Sequence, residues 1–237
     1  MTAAFFDAIR PHFGGTLSQS QVDGFNAIFE AWRRSGDGDS RKLAYLLATT
    51  EHETARTMQP IYERGKRAYF DKYEPGTDIG KVLGNTEKGD GYRYRGRGFV
   101  QLTGRGNYRS AGARINADLV GNPDLALDID TAAMILVKGC MEGWFTTRKI
   151  GTYINADKCD YRNARRVVNG LDKADVIASY ALTYEAALAA AEPVQAPQPV
   201  PAPSPPPVPS QPVRGGWLAA LVSLVLRVLG AVFRRGC

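Results

Sequence analysis

The chain is poor in several residues, and each scarcity excludes a class of protein. It has three cysteines, Cys140, Cys159 and Cys237, and two histidines, His12 and His52, in 237 residues. An odd and irregularly spaced cysteine set rules out a disulfide framework and fits folding in a reducing compartment. The same residues offer no zinc-ligand spacing, so no metal is expected. His52-Glu53 opens like a zinc-peptidase motif, but the position where the second histidine belongs is Arg56. In Gly96-Arg97-Gly98-Phe99-Val100-Gln101 the third glycine of the dinucleotide fingerprint is replaced by Gln101, and no glycine run ends in a P-loop lysine. No cofactor is therefore expected. Internal repeats of solenoid length are absent. Met1 to Asp7 lacks the basic start and apolar run of a secretory leader, so synthesis in a cytoplasm without a signal peptide is expected.

Composition then divides the chain. Residues 1–192 carry enough aliphatic and aromatic side chains for one core and are read as a single domain. Residues 193–213 change abruptly to Pro, Ala, Val, Gln and Ser, which favours extended polyproline backbone and a semi-rigid spacer reaching roughly 60 Å. Residues 214–237 hold an apolar run from Trp217 to Phe233, interrupted by Ser223 and Arg227 and followed by Arg234-Arg235. That run is at the short end for a bilayer span. Arg227 would snorkel towards the basic end if the helix inserts, whereas a helix lying flat would show a thin polar face. A membrane-interacting helix is expected, with insertion favoured over surface binding.

Net charge is +6, and Arg214, Arg227, Arg234 and Arg235 in the tail have no acid beside them. Such an excess suits anionic bacterial membrane or wall as a partner. Arg93, Arg95, Arg97, Arg105 and Arg109 lie among aromatics in a way that also suits nucleic acid. They interleave with glycines in one dense block, and nucleic acid is not expected as a partner.

Hydrophobic periodicity predicts a mostly helical domain. Val22, Phe25, Phe29 and Trp32 make a stripe after Ser20, taken as N-cap. Leu43, Leu46, Leu47 and Thr50 make a second over Ser40 to Ala55, with Glu53 at its edge and Glu51 and His52 pointing elsewhere. Glu63 follows Pro60 in a loop or strand. Gly76 to Gly91 reads as a loop, and Tyr92 to Thr103 as a short hairpin or irregular strands. Asp130 to Phe145, Tyr161 to Asn169 with Gly170 as C-cap, and Asp172 to Ala191 read as helices. Trp144, Phe145, Tyr180 and Tyr184 are assigned to the core.

The chemistry lies in two segments. Glu53 and Glu63, ten residues apart, offer a carboxylate pair, and cleavage of a sugar linkage needs one carboxyl to protonate the leaving oxygen and another to activate water or attack. The first works best in a poorly solvated place that keeps it protonated. The block from Tyr92 to Tyr108 adds glycine-rich backbone and short polar side chains, which can hold a sugar and a water beside the pair.

Together His52-Glu53-Thr54, Glu63-Arg64-Gly65, Gly96-Arg97-Gly98-Phe99-Val100-Gln101-Leu102-Thr103, Asn107-Tyr108 and Val168-Asn169-Gly170 resemble the family 19 chitinases and the related lysozyme-like endolysins of phages and bacteria. The resemblance implies a two-lobed, mostly helical lysozyme-like fold with a small irregular β segment. It implies Glu53 as general acid, Glu63 as general base and Thr103 as the hydroxyl that positions water. It places His52, Gln101, Asn107, Tyr108 and Asn169 along the sugar cleft, with peptidoglycan or chitin strands as the partner and the cell wall as the place of action. Two departures stand out. The gap between the glutamates is short, as in the endolysin branch. Asp175-Val176-Ile177 stands where many members have Asp-Arg-Ile, so an arginine that helps set the base's ionisation is missing and Glu51 and Glu74 become alternates for Glu63.

Overall fold

The computed structural model describes residues 3–191. The linker and the membrane-interacting helix expected from the sequence lie outside the described residues.

The order of elements is α1 (Ala3–Ile9), α2 (Gln19–Ser35), α3 (Ser40–Glu53), β1 (Ile61–Tyr62), α4 (Asp78–Val82), α5 (Asp90–Arg93), β2 (Arg97–Gly98), α6 (Arg105–Ile115), α7 (Ile129–Glu142), β3 (Ile154–Asn155), β4 (Lys158–Cys159), α8 (Tyr161–Ala164) and α9 (Ala174–Ala191). The strands form two antiparallel pairs, β1 with β2 and β3 with β4. The fold is mostly helical with small sheets, as the sequence leads one to expect.

Helix α3 is the centre. It packs against α9, α7 and α2, and every residue from Lys42 to Glu51 is buried. The sequence suggests one apolar stripe, but neighbours cover this helix on all sides. Leu46 and Leu47 are fully buried, and burial of each stabilises by about 1.5–3 kcal/mol. Asp39 caps the helix by accepting the Arg41 N–H, one of the orphan donors of a first turn. In α2 the cap is Ser18, not Ser20: its side chain accepts the Gln21 N–H at 3.2 Å while Gln21 reaches back to the Ser18 N–H at 2.8 Å. That reciprocal box satisfies two orphan donors, which Ser20, inside the first turn, cannot do.

Several other boundaries shift. The stretch read as a loop contains α4, capped by Thr77. Arg97–Gly98 pairs across to Ile61–Tyr62, and Arg97 also bridges back to Leu102 in a short hairpin, the two backbones exchanging N–H bonds at 3.2 and 2.9 Å. Gly98 takes φ 87° there, and a Cβ on it would meet the Ala126 carbonyl at 2.9 Å. Helix α8 stops at Ala164 and gives way to a 3₁₀ turn, Arg165–Val167, so Gly170 caps no α-helix. Tyr184 is fully buried, while Trp144, Phe145 and Tyr180 pack against the core with part of each ring exposed.

A buried carboxylate ties the last turn of α3 to three other segments. Glu51 is fully buried and accepts hydrogen bonds from the Tyr184 hydroxyl at 2.8 Å and from His12 Nε2 at 2.9 Å, with Arg56 Nη1 at 3.1 Å. Burial, and then the charge of Glu51, push the Tyr184 hydroxyl well above its ordinary range, so it stays a donor. Arg56 reaches Glu51 because the chain leaves α3 through left-handed Ala55, Arg56 and Met58, with φ 50°, 69° and 53°. Such backbone costs on the order of 1–3 kcal/mol per residue and persists only where surroundings enforce it.

Removing Glu51 leaves the buried Tyr184 hydroxyl and the His12 imidazole without their partner, while the Arg56 guanidinium, 43% exposed, can turn to water. Glu51→Ala is expected to lower the unfolding free energy by about 1–3 kcal/mol, read from urea denaturation. A loss below about 1 kcal/mol would mean that the cluster contributes no more than an exposed ion pair.

Candidate active site

Glu53 ends α3, two residues beyond the buried Glu51. Its side chain keeps 18% of its surface exposed, and its Oε1 lies 2.6 Å from Nη1 of Arg165, which is itself 3% exposed. The Nε of Arg165 donates to the Asp172 carbonyl at 3.2 Å, which fixes the guanidinium. The sequence suggests an apolar surround for Glu53, and the structure supplies a buried arginine instead. Among the described residues Oε2 of Glu53 has no hydrogen-bond partner, so it is the oxygen available to a ligand.

Glu63 is placed by the ladder that precedes it. Its N–H donates to the Gly96 carbonyl at 2.8 Å, extending the β1–β2 pairing by one residue. The Gly96 N–H donates back to Glu63 Oε2 at 3.0 Å, and the Tyr73 hydroxyl donates to Oε1 at 2.9 Å. A Cβ at position 96 would stand 2.8 Å from Gln101 Oε1 and 3.0 Å from Glu63 Cβ, so only glycine lets the backbone approach this closely. Burial, and then the bond to Glu63, raise the Tyr73 hydroxyl above its ordinary range, which keeps it protonated and donating. Each carboxylate oxygen has a second lone pair, so a water can still donate to Glu63.

Both glutamates line one cleft of about 400 Å³, together with Tyr73, Leu83, Val100, Gln101, Thr103, Val168 and Asn169. Thr103 donates its hydroxyl proton to the Gln101 carbonyl at 2.7 Å, so towards the cleft its oxygen can only accept. Gln101 takes φ 56° and donates its amide to the Ile61 and Gly98 carbonyls at 3.1 and 3.2 Å, bracing the two strands from the cleft floor. Among the described residues no group of three or more His, Cys, Asp or Glu side chains stands close enough to hold a metal ion.

Other residues assigned to the site from the sequence stand elsewhere. Tyr108 is fully buried, donates to the Arg95 carbonyl at 2.9 Å and accepts from Arg97 Nη1 at 3.0 Å, so it is a core hydroxyl and not a sugar contact. Asn107 lies outside the cleft lining and donates to the Thr103 carbonyl at 2.7 Å, one turn back along the chain. His52 is half-buried and not among the lining residues either, because the α3 turn that points Glu53 into the cleft carries it aside. The alternates for Glu63 are both committed. Glu51 is fully buried, and Glu74 accepts the Gly89 and Gly91 N–H groups at 2.7 and 3.2 Å.

Two residues at the site escaped the sequence reading. Tyr73 carries no motif and is brought to Glu63 by the 3₁₀ helix Arg67–Tyr73. Arg165 supplies an arginine where Val176 left one missing, but it contacts Glu53 and not Glu63. Val176 itself is 40% exposed on α9. The only sequence signal for Arg165 was its closeness to the Val168-Asn169-Gly170 segment.

Residues 21–155 match the family described as chitinase class I, glycoside hydrolase family 19. Chitinase 8 of Oryza sativa subsp. japonica is 34% identical over 158 residues, covering 62% of this chain and 55% of the relative. Acidic endochitinase Q of Nicotiana tabacum is 48% identical over 120 residues, covering 50% of this chain and 41% of the relative. The chain thus spans about half the length of the curated relatives it matches. The crystal structure of chitinase C from Streptomyces griseus HUT6037 superposes with TM-score 0.57 at 18% identity, covering 79% of this chain and 76% of that one, and so shares the fold. The family match covers more than half of the sequence and contains Glu53, Glu63 and the Gly96–Thr103 block: the chain belongs to glycoside hydrolase family 19.

Proposed function

We propose that the cleft hydrolyses β-1,4 bonds between amino sugars of a glycan strand, with Glu53 as general acid and Glu63 as general base. The observation that carries this reading is the unequal dress of two carboxylates in one cleft. Glu53 has one oxygen held by Arg165 and, among the described residues, the other without a protein partner, which leaves Oε2 to face the leaving oxygen. Glu63 has donors on both oxygens, which fix it without filling its remaining lone pairs. A water beside it would give one proton to Glu63 and direct the other at Thr103 Oγ1, leaving its own lone pair for the anomeric carbon. Gln101 and Asn169 border the sugar, and Leu83, Val100 and Val168 offer apolar faces to it.

Within this reading we favour peptidoglycan as the strand and a phage or prophage endolysin as the biological setting. The short spacing of the glutamates and the basic, apolar tail support it. Cytoplasmic synthesis, action at the wall and membrane association through residues 214–237 belong to the same proposal. The second reading is hydrolysis of chitin, favoured by the names of the family and of the relatives. A wall- or membrane-binding protein without catalysis is disfavoured by the complete set of Glu53, Glu63 and Thr103.

Glu53→Gln keeps the shape and the Arg165 contact but cannot protonate a leaving group. Turbidity loss of purified cell wall, or release from chitin oligosaccharides, is expected to fall by about a hundredfold or more, with thermal unfolding preserved. Activity within a few-fold of the wild type removes Glu53 from the mechanism.

A base that works through water inverts the anomeric centre, and the two carboxyls then stand ~6.5–9.5 Å apart around the bound sugar. Proton NMR of the first-formed product, taken before mutarotation, is expected to show the inverted anomer. Retention would replace the water with direct attack by Glu63.

Deleting residues 193–237 is expected to leave hydrolysis of purified wall nearly unchanged and to abolish sedimentation with anionic vesicles. Loss of hydrolysis in a folded truncated protein would make the tail part of the enzyme.

A further inference from the structure

The segment that carries Glu63 is unusually cationic for the lip of a sugar cleft. Arg64, Lys66 and Arg67 are exposed, and none has a carboxylate partner among the described residues. Lys72 and Arg95 also lack one and instead lie on aromatic rings. A ladder of alternating rings and guanidinium groups runs through this region. Arg67 lies 4.4 Å and Arg95 4.2 Å from the Tyr92 ring centroid, and Arg95 and Arg97 lie 4.5 and 5.1 Å from that of Tyr62. Lys72 stands 3.5 Å from the Tyr69 ring and 4.7 Å from the Tyr73 ring. Such stacking holds Arg67, Lys72 and Arg95 in place without a carboxylate partner, while the buried Arg97 pairs with Asp124.

The ladder reaches the chemistry directly. Tyr62 precedes Glu63 in the chain, Arg95 precedes the Gly96 that binds it, and Tyr73 donates to it. Beside the ladder, Arg67 and Lys88 border a recess of about 490 Å³ with Asp71, Glu74, Pro75 and Gly89. The Glu74 carboxylate there is occupied by the Gly89 and Gly91 N–H groups, which leaves Asp71 as the lining acid whose carboxylate has no partner among the described residues. A neutral glycan gains little from such a surface, since an ammonium or guanidinium is better solvated by water than by sugar hydroxyls. A strand that bears carboxylates gains charge-assisted hydrogen bonds.

We propose that Arg64, Lys66, Arg67, Lys72 and Arg95 form a cationic rim that binds the stem-peptide carboxylates of a peptidoglycan strand and so selects a charged glycan over a neutral one. This rests on the glycan-hydrolase reading of the cleft. Stem peptides hang from alternate sugars, so a strand lying past Glu63 presents their carboxylates beside the reacting bond, where the rim and its recess stand. The aromatic backing sets the cations in advance and lowers the entropy lost on binding.

The test compares three substrates: peptide-bearing peptidoglycan strands, the same strands with every carboxylate capped as a neutral amide, and chitin oligosaccharides. The full-length protein is expected to favour the uncapped over the capped strand by about tenfold in kcat/KM at low salt, the combined effect of several exposed charges. The preference is expected to sit in KM and to shrink as salt rises from ~0.05 to ~0.3 M. In Arg64→Gln/Lys66→Gln/Arg67→Gln the ratio is expected to fall towards one. The double change Arg64→Gln/Lys66→Gln, which leaves the Arg67–Tyr92 stack intact, serves if the triple variant does not fold and is expected to lose part of the preference.

Equal turnover of capped and uncapped strands by the wild type overturns the inference while leaving the hydrolase reading in place. So does a preference that survives both sets of substitutions. If no glycan is cleaved at all, the hydrolase reading fails, and retention of uncapped against capped strands on immobilised Glu53→Gln protein decides the rim separately. Rim-dependent retention of a DNA oligonucleotide, with none of the uncapped strand, would assign the surface to nucleic acid and overturn the proposal.

Discussion

The placement of the site depends on a carboxylate that does no chemistry. Glu51 is held in the core by His12, Arg56 and Tyr184, groups drawn from the N-terminal segment, the turn after α3 and α9. A charge with no exposed surface is tolerable only because it is paired and bonded on both oxygens. Two residues later on the same helix stands Glu53. At 3.6 residues per turn, side chains two apart point about 200° away from each other. The turn that anchors Glu51 in the core therefore aims Glu53 outwards at the cleft. The anchor also explains the left-handed exit through Ala55, Arg56 and Met58, since that path returns the Arg56 guanidinium to the carboxylate.

The second carboxylate is positioned by different means. Glu63 follows a strand of two residues, too short to be stable alone, and owes its place to what surrounds that strand. The Gly96 backbone exchanges hydrogen bonds with it on both sides, Gln101 spans from the cleft floor to the Ile61 and Gly98 carbonyls, and Tyr73 closes the other flank. Arg97, buried and bonded to Tyr108 and Asp124, locks the partner strand from behind. One acid thus rides on the most deeply packed helix of the domain and the other on a ladder braced by side chains. Under the proposed reading, a sugar between them would meet Glu53 on one side and a water held at Glu63 on the other.

Glu53 is linked to its partners through a long-range contact. Arg165 comes from a 3₁₀ turn far along the chain and is nearly as buried as the core around it. It gives Glu53 a charged neighbour but does not stand in for the arginine missing at Val176, which was expected to act on Glu63. Around the opposite carboxylate the cations face outwards and rest on Tyr62, Tyr69 and Tyr92. The two sides of the cleft therefore differ in electrostatic character, one neutralised within the fold and the other open to a ligand.

By itself the sequence determined the helical class, the main helices and the segments that carry Glu53, Glu63, Gln101, Thr103 and Asn169 to the cleft lining. Those features are local: apolar periodicity, a glycine block and short contiguous motifs survive in one dimension. Tertiary structure decided what each polar side chain faces. Tyr108 sits inside the same motif as the cleft residues, yet its ring turns inwards to Arg97, a choice that depends on which face of α6 meets the core. Tyr73 and Arg165 carry no pattern, and only chain folding brings them to Glu63 and Glu53. Helix α3 read as amphipathic because Leu43, Leu46, Leu47 and Thr50 share a face, and burial on every side came from neighbours that pattern cannot reveal. Periodicity reports which residues avoid water, whereas partners are set by distances between segments remote in the chain.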